Sequence, residues 1–254
     1  MKQEEIRDFL EQKYRLYNSE SFINEDPVLI PHLFSVKEDI EISGFIAATL
    51  AWGQRKTILK KSRELLCMMD NAPYDFLLNA ENSDIEKLSG FKHRTFNGID
   101  CTYFIKTLKN IYRKYGGIGE IIESNYIKNK SIAESIICFR NKFFMPDSPE
   151  RTKKHFSDIS KGSTGKRLNM YMRWMIRNEG PVDFGIWNKI PPSALFIPID
   201  LHTGNVSRKL GLLRRKQNDW KAVEELTEML KKFDPDDPVK YDFALFGLGI
   251  YENF

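Results

Sequence analysis

A short glycine-bearing turn followed by basic residues is one place in the chain where residue types and spacing suggest chemistry. Residues 160–169 read SKGSTGKRLN, with Gly162 and Gly165 in the turn and Lys166 and Arg167 opening a helical pattern. Glycines let a backbone approach a phosphate closely, and the free N–H groups of a helix N-terminus point at the anion. The turn therefore indicates a phosphate contact, although an ordinary surface loop has the same composition.

A carboxylate and an imidazole follow further along the chain. Asp200 and His202 come just after Pro198, where a second helical pattern begins. Aspartate is a favoured N-cap residue because its carboxylate accepts hydrogen bonds from free backbone N–H groups. Asp200 can therefore be a helix cap or a reactive carboxylate, and His202 a structural histidine or a binding residue.

Together the two segments resemble the helix–hairpin–helix DNA glycosylase superfamily. Its members have a Gly-rich hairpin leading into Lys-x-x-Asn, here Lys166 to Asn169, then Val/Ile-Asp-x-His, here residues 199–202, and a downstream valine, here Val206. More narrowly, the chain resembles a bacterial branch marked by Lys-Arg-Leu-Asn and Arg-Trp-Met. The resemblance implies that Lys166 is the nucleophile and Asp200 the essential carboxylate. It also implies DNA contacts at a further set of positions: Gly162, Gly165, Arg167 and His202.

A third match lies upstream, in residues 45–55 (FIAATLAWGQR). This segment is similar to an early helix of the superfamily, whose glutamine enters the duplex. The resemblance implies that Gln54 fills the gap left by an extruded base and that Arg55 contacts DNA. Without the downstream match, the segment would indicate only the end of a helix.

The chain also departs from the superfamily pattern. The usual Leu-Pro-Gly-Val-Gly hairpin is replaced by Ser-Lys-Gly-Ser-Thr-Gly, and residues 178–198 lengthen the interval between Lys166 and Asp200. Branches that act on oxidised guanine have a similarly long interval. The four-cysteine iron–sulfur signature is missing, and no Cys/His cluster has metal-ligand spacing, so neither cofactor nor metal is expected.

Glycosidic bond cleavage explains why these residue types would be needed. The reaction builds oxocarbenium character on the sugar, which a carboxylate near C1′ stabilises. A neutral lysine amine can attack C1′, and cationic neighbours such as Arg167 favour that neutral form. The target base must first leave the stack. Trp52 or Trp187 could stack on it, although both are better explained as core residues, and residues 93–96 (HRTF) are either a further contact or a surface loop.

The elements that must position these residues are helices. Apolar spacing is helical almost throughout, and no sustained alternation predicts strands. We predict an all-α fold of two helical lobes with a cleft between them, forming one glycosylase-like unit over residues 1–254. The Pro146/Pro149 break would divide the lobes, and the helix–hairpin–helix would span about 150–177. The predicted helices are 6–17, 40–52, 58–69, 100–115, 131–144, 150–159, 166–177, 201–210, 220–232 and 239–252.

Charge and composition favour an intracellular partner of DNA. Residues 151–216 hold 14 Lys/Arg and 4 Asp/Glu, a net +10, whereas the rest of the chain sums to −6. Such a block is typical of polyanion binding, although basic residues also solvate helix faces. Three widely spaced cysteines suit reduced, buried thiols in a cytosol. No run is long and apolar enough for a bilayer, so we expect a cytoplasmic, nucleoid-associated protein.

The sequence leaves several functions open. The first hypothesis is a base-excision repair glycosylase with AP-lyase activity, whose partner is double-stranded DNA containing an oxidised or damaged base. No membrane and no obligate protein partner are inferred. An alternative is a non-catalytic nucleic-acid-binding protein that retains the glycosylase fold, and a third is a helical protein whose basic face binds an acidic partner.

Overall fold

The computed structural model describes residues 2–254, and these residues are predominantly helical. Within this range the only β-type pairing is an isolated antiparallel bridge between His93 and Phe96. This confirms the prediction of an all-α fold. Thirteen α-helices follow one another in the described chain: α1 Gln3–Tyr17, α2 Glu20–Ile23, α3 Lys37–Leu50, α4 Arg55–Cys67, α5 Pro73–Asn79, α6 Asn82–Lys87, α7 Gly98–Tyr115, α8 Ile118–Asn129, α9 Ile132–Phe143, α10 Lys166–Ile176, α11 Leu201–Lys209, α12 Trp220–Lys231 and α13 Tyr241–Tyr251.

The described chain forms two compact units. The terminal unit contains both ends, residues 2–24 and 158–254, and the central unit contains residues 25–157. The proline break at 146–149 lies inside the central unit, near its end. No helix within residues 2–254 has the length and apolar character needed to cross a bilayer.

The core of the terminal unit is aliphatic and forms where three helices meet. Helix α13 packs against α1 and α11, because its apolar residues occupy most of its surface. Leu10, Val206 and Leu245 are buried there, together with Ile199 just before α11 and Leu226 on α12. This core fixes the start of α11, where the candidate carboxylate Asp200 lies.

The core of the central unit is aromatic. Phe45 on α3 lies within 6.1 Å, ring centroid to centroid, of Phe104 on α7 and within 5.5 Å of Phe139 on α9. Phe143 and Phe156 complete the cluster, both in ring contact with Phe45 and Phe139. Aromatic rings at these spacings add stabilisation beyond the area they bury.

Side-chain caps and glycines set several helix ends. Asn97 caps α7 by accepting a hydrogen bond from Ile99 N at 3.2 Å, and Ser131 caps α9 from Glu134 N at 3.2 Å. Gly116 ends α7 with a left-handed φ of 85°. Helix α8, which is not among the predicted helices, begins two residues later.

Residues 150–161 differ from the prediction. We predicted one α-helix over 150–159, but the chain forms two short 3-10 helices, Glu150–His155 and Ile159–Lys161. The extended backbone of Phe156 and Asp158 separates them. The element directly before the glycine turn is therefore the single 3-10 turn Ile159–Lys161.

Candidate functional site

The glycine turn positions Lys166 as the first residue of α10. Gly162 and Gly165 both adopt left-handed backbone, with φ of 85° and 60°. A Cβ at residue 165 would lie 2.7 Å from Cγ2 of Ile159, whereas a Cβ at residue 162 would meet no atom within 4 Å. The tight packing at Gly165 fixes where the chain enters α10, and so fixes the position of Lys166.

Two hydrogen bonds hold the turn in place. Asn169 donates its side-chain amide to the Thr164 carbonyl at 3.0 Å, and the Trp220 amide donates to the Gly162 carbonyl at 3.0 Å. Asn169 is itself buried. The side chain of Asn169 therefore holds the backbone of the glycine turn in place.

Asp200 performs two tasks with its two carboxylate oxygens. It is the N-cap of α11, and its Oδ1 accepts a hydrogen bond from Thr203 N at 2.9 Å. Its Oδ2 lies 3.6 Å from Nζ of Lys166, and the side chains are 24% and 29% exposed. The structure thus brings the predicted pair together in a partly exposed position that a ligand can reach.

Asn218 and Arg208 support Asp200, and sequence reasoning missed both. The Asn218 amide donates to the Asp200 carbonyl at 3.1 Å, while Asn218 Oδ1 accepts from Nη2 of Arg208 at 2.6 Å. Arg208 also donates from Nε to the Arg215 carbonyl at 2.8 Å. The only sequence signal was the Asn-Asp pair before α12, where Asp219 is the N-cap.

Four buried charged residues and the partly buried Asp237 form a connected network in the terminal unit, which we call the charge ladder: Arg173, Arg177, Asp183, Asp237 and Asp242. Arg173 Nε donates to Asp183 at 3.2 Å, and its Nη1 donates to Asp242. Arg177 donates to Asp183 at 3.0 Å and to Asp237 at 2.7 Å. Arg173 lies on α10 and Arg177, four residues later, is the C-cap residue of that helix, so the ladder fixes the rotation of the helix that carries Lys166.

The Lys166 end of the ladder is Asp242. Burial raises the pKa of Asp242 to about 6, with Arg173 and Lys166 acting in the opposite direction and Asp200 and Asp183 adding to the increase. One turn along α13, the ring of Phe246 has its centroid 6.0 Å from Nζ of Lys166. Lys166 therefore lies in the electrostatic field of two carboxylates, one partly exposed and one buried.

The ladder corrects the interpretation of the basic block. The side chains of Arg173 and Arg177 are 3% and 0% exposed and are paired with aspartates, so neither can reach a phosphate. Arg215 pairs with Asp219, and Arg151 lies 3.2 Å from the buried Asp100. Part of the net charge counted between residues 151 and 216 is therefore used inside the fold.

The other candidates of the terminal unit differ in exposure. His202 and Gly162 are exposed, while Arg167 is half-buried and burial lowers the pKa of Arg167 to about 10, which leaves it charged at neutral pH. Trp187 is fully buried and makes an edge contact with Tyr171 at 5.4 Å. The core interpretation of Trp187 is confirmed, and it is not available to stack on a base.

Gln54 and Arg55 lie at the start of α4 in the central unit. Gln54 is the N-cap residue, is exposed, and makes no side-chain capping bond. Arg55 is half-buried. Trp52, two residues before Gln54, is half-buried, with its ring 4.8 Å from that of His93 and 5.6 Å from that of His155.

The segment 93–96 is a tight turn closed by two backbone hydrogen bonds between His93 and Phe96, at 2.8 and 2.9 Å. Both of these side chains are buried, and burial lowers the pKa of His93. Only Arg94 and Thr95 are exposed. Of the four residues considered as contacts, the turn therefore presents two.

Metal ligands and thiols add no further site. Among residues 2–254 no group of three or more His, Cys, Asp or Glu side chains is arranged to hold a metal ion. All three cysteines are free, with Cys101 buried, Cys138 partly buried and Cys67 exposed. The expectation that all three thiols are buried is therefore wrong for Cys67, which lies at the end of α4.

Comparison with known proteins gives one match. A family model described as "Protein of unknown function (DUF2400)" matches residues 26–251, which is most of the chain. No curated protein and no solved structure matches the chain.

Proposed function

We propose that this chain, which belongs to the DUF2400 family, is a DNA glycosylase with AP-lyase activity that removes an oxidised or otherwise damaged base. The observation that carries the proposal is the 3.6 Å approach of Lys166 Nζ to Asp200 Oδ2. Each residue stands at the N-terminal end of a helix, and each helix end is fixed by independent hydrogen bonds. An amine and a carboxylate so placed are the two groups that covalent base excision requires.

In this proposal Lys166 and Asp200 carry out base release and then strand nicking. Asp200 accepts a proton from the Lys166 ammonium, and Nζ then bonds to C1′ as the bond from C1′ to the base breaks. The base leaves with that electron pair and takes from Asp200 the proton that came from Lys166, which restores the carboxylate. Opening of the sugar ring gives a Schiff base, and loss of a C2′ proton expels the 3′ phosphate, which nicks the strand.

Asp200 Oδ1 stays on the backbone of α11 throughout this sequence, because its hydrogen bond from Thr203 N does not involve the substrate. The carboxylate therefore needs little reorientation as positive charge develops on the sugar, and such preorganisation is a major part of catalysis. The second carboxylate, Asp242, adds negative potential beside Lys166.

DNA contacts in this proposal come from the hairpin and from the start of α4. Lys161 and Gly162 are exposed in the hairpin, and the N-terminus of α10 follows directly. Helix N-termini bind phosphate through free N–H groups and the helix dipole. Gln54 is exposed at the N-cap of α4, which suits the role of filling the gap left by a flipped base.

Borohydride trapping tests the lysine. Duplexes that each carry one oxidised, alkylated or deaminated base, or an abasic site, are incubated with protein and reductant, and covalent adducts are resolved by mass. The wild-type chain should form an adduct with at least one duplex, and Lys166→Gln should form none while still binding DNA. Lys221→Gln, an exposed lysine on α12, is the matched control and should trap normally. Normal trapping by Lys166→Gln would show that the lysine assignment is wrong.

Asp200→Asn separates chemistry from helix capping. Asparagine caps a helix about as well as aspartate, so the melting temperature should stay close to that of the wild type. Base release should fall about a hundredfold or more, because the charge facing the sugar is lost. Unchanged base release would remove Asp200 from the mechanism.

The cap bond of Asp200 also favours a second candidate. The hydrogen bond from Thr203 N gives the Asp200 carboxylate a structural role, helix capping, that needs no catalysis. The alternative is therefore a non-catalytic nucleic-acid-binding protein that retains the glycosylase fold. It predicts binding to DNA or RNA that weakens steeply with salt and no base release from any lesion. The lesion panel therefore distinguishes the two functions directly.

A further inference from the structure

A groove in the central unit has the character of a separate anion site. It has a volume of about 350 Å³ and lies between the C-terminal half of α7 and the end of α9. Ligand pockets commonly have volumes of about 300–1,000 Å³, so the groove can hold a small molecule or one unit of a polymer. Its walls combine apolar, aromatic and basic side chains, of which the principal ones are Asn110, Ile111, Lys114, Tyr115, Lys142 and Met145.

The groove is positively charged. Arg113 joins Lys114 and Lys142 on its walls, and none of the lining residues is Asp or Glu. Nζ of Lys142 lies 4.2 Å, and Nζ of Lys114 lies 5.3 Å, from the ring centroid of Tyr115. Over residues 2–254, neither lysine forms an ion pair with a carboxylate. Two ammonium groups are thus brought to one ring, where an anion between them would offset their mutual repulsion.

We propose that this groove binds a nucleotide, with its phosphate held by Lys114 and Lys142 and its base against the apolar wall. Met145 is 58% exposed and gives the groove an apolar surface open to a flat ring, while Ile111, which also lines the groove, is buried. Asn110 adds an amide that can both donate and accept hydrogen bonds. The hydrogen bond from Lys114 lowers the pKa of Tyr115, which is the direction expected where the local potential favours negative charge.

The proposal does not rest on base excision. The groove is formed entirely by the central unit, whereas Lys166 and Asp200 belong to the terminal unit. The nucleotide can be a free nucleoside monophosphate or one residue of a single strand, since both present the same phosphate and base. The experiment therefore contains an arm for each source.

Calorimetric titration of the full chain tests the groove. The probes are dAMP, deoxyadenosine and a short oligodeoxyadenylate. We expect dAMP or the oligonucleotide to bind, and the double variant Lys114→Glu/Lys142→Glu to weaken that binding about tenfold or more, because two charge-assisted contacts are reversed. Tight binding of dAMP identifies a free nucleotide, and binding of the oligonucleotide alone identifies a strand.

Two controls keep the result decisive. Lys128→Glu reverses an exposed lysine in the last turn of α8, outside the groove, and should leave binding unchanged. If the double variant loses its helical circular dichroism, the milder Lys114→Gln/Lys142→Gln pair replaces it. Deoxyadenosine binding as tightly as dAMP, equal binding by the glutamine or glutamate pair and the wild type, or no binding of either phosphorylated probe would overturn the proposal.

Discussion

The terminal and central units bury their carboxylates in different ways. In the central unit Glu41 accepts backbone hydrogen bonds from Ile118 N at 2.7 Å and Gly119 N at 2.9 Å, so it closes the start of α8. Asp100 likewise accepts from Asn97 N at 3.0 Å at the start of α7, and its arginine partner, Arg151, is partly exposed rather than buried. In the terminal unit Asp183, by contrast, is bound to two buried arginine side chains.

The two kinds of buried carboxylate hold different parts of the structure in place. A carboxylate that caps a helix satisfies the backbone of one element. A carboxylate shared between Arg173 on α10 and Arg177 at its C-cap fixes the rotation and depth of that whole helix, because both guanidinium groups must meet it at once. Since Lys166 is the first residue of α10, the charge ladder orients the candidate nucleophile.

Arg177→Met should produce the largest effect on stability. It leaves the buried Asp183 and the partly buried Asp237 without Arg177, and breaking a buried pair costs about 3–5 kcal/mol. Urea unfolding followed by tryptophan fluorescence measures it, because Trp174 and Trp187 are buried in the terminal unit. Arg7→Met, which breaks an exposed pair with Asp8, is the control and should not measurably change the midpoint. A small loss of unfolding free energy in Arg177→Met would mean that the charge ladder stabilises the fold no more than a surface ion pair does.

Asp242→Asn tests whether the ladder titrates. The pKa of Asp242 is raised in the folded chain from 3.8 to about 6, so between about pH 4 and pH 6 the folded state binds more protons than the unfolded state. Stability due to this group is complete below pH 4 and is lost as the pH rises through 6, on the order of 2–3 kcal/mol. The difference in unfolding free energy between the wild type and Asp242→Asn should therefore decline over that window. A difference that is flat or rises with pH would contradict the assignment.

Gly165→Ala tests the turn that leads into α10. A left-handed φ at a non-glycine residue lowers stability by about 1–2 kcal/mol. The contact between the added Cβ and Ile159 should lower it further. Gly162→Ala has the same backbone cost without a contact, so it is the matched control. We expect Gly165→Ala to be the less stable of the two by urea unfolding and to trap DNA less efficiently. Equal losses of unfolding free energy in the two variants would show that the Ile159 side chain moves aside for the added methyl group.

Much of the helical architecture was predictable because periodic apolar spacing records which face of a helix is buried. Helices α7, α9 to α13 and the first helix begin and end within a few residues of their predicted bounds. The failures have physical causes. Residues 150–159 carry helix-forming residues, yet Phe156 is extended and buried in the aromatic core. Tertiary packing there overrides local propensity.

Local sequence also indicated the members of the candidate pair but could not show their surroundings. The Asp200 cap follows from the residue type and its place before a helix. The ladder does not, because Asp183, Asp237 and Asp242 come from three separate segments and meet Arg173 and Arg177 only in the folded unit. A count of basic residues therefore overestimated the positive charge at the surface.

Phe139→Leu in the central unit should have the smallest effect of the four substitutions, and it examines the other side of the comparison. The ring of Phe139 is fully buried and contacts Phe45, Phe143 and Phe156. Leucine keeps the site apolar and removes part of its volume, so the expected loss is about 1–2 kcal/mol. No charge is left without a partner, and the loss should be the same at pH 4 and pH 7.

The readouts distinguish the two units. Trp52 is the one tryptophan of the central unit, while Trp174, Trp187 and Trp220 belong to the terminal unit. The unfolding midpoint followed by circular dichroism should therefore fall in Phe139→Leu, while the midpoint followed by tryptophan fluorescence should change less. In Arg177→Met both midpoints should fall. If Phe139→Leu lowers the free energy of unfolding as much as Arg177→Met does, ring packing stabilises the fold as much as the buried ion pairs. The charge ladder would then not stand out as the feature that orients Lys166.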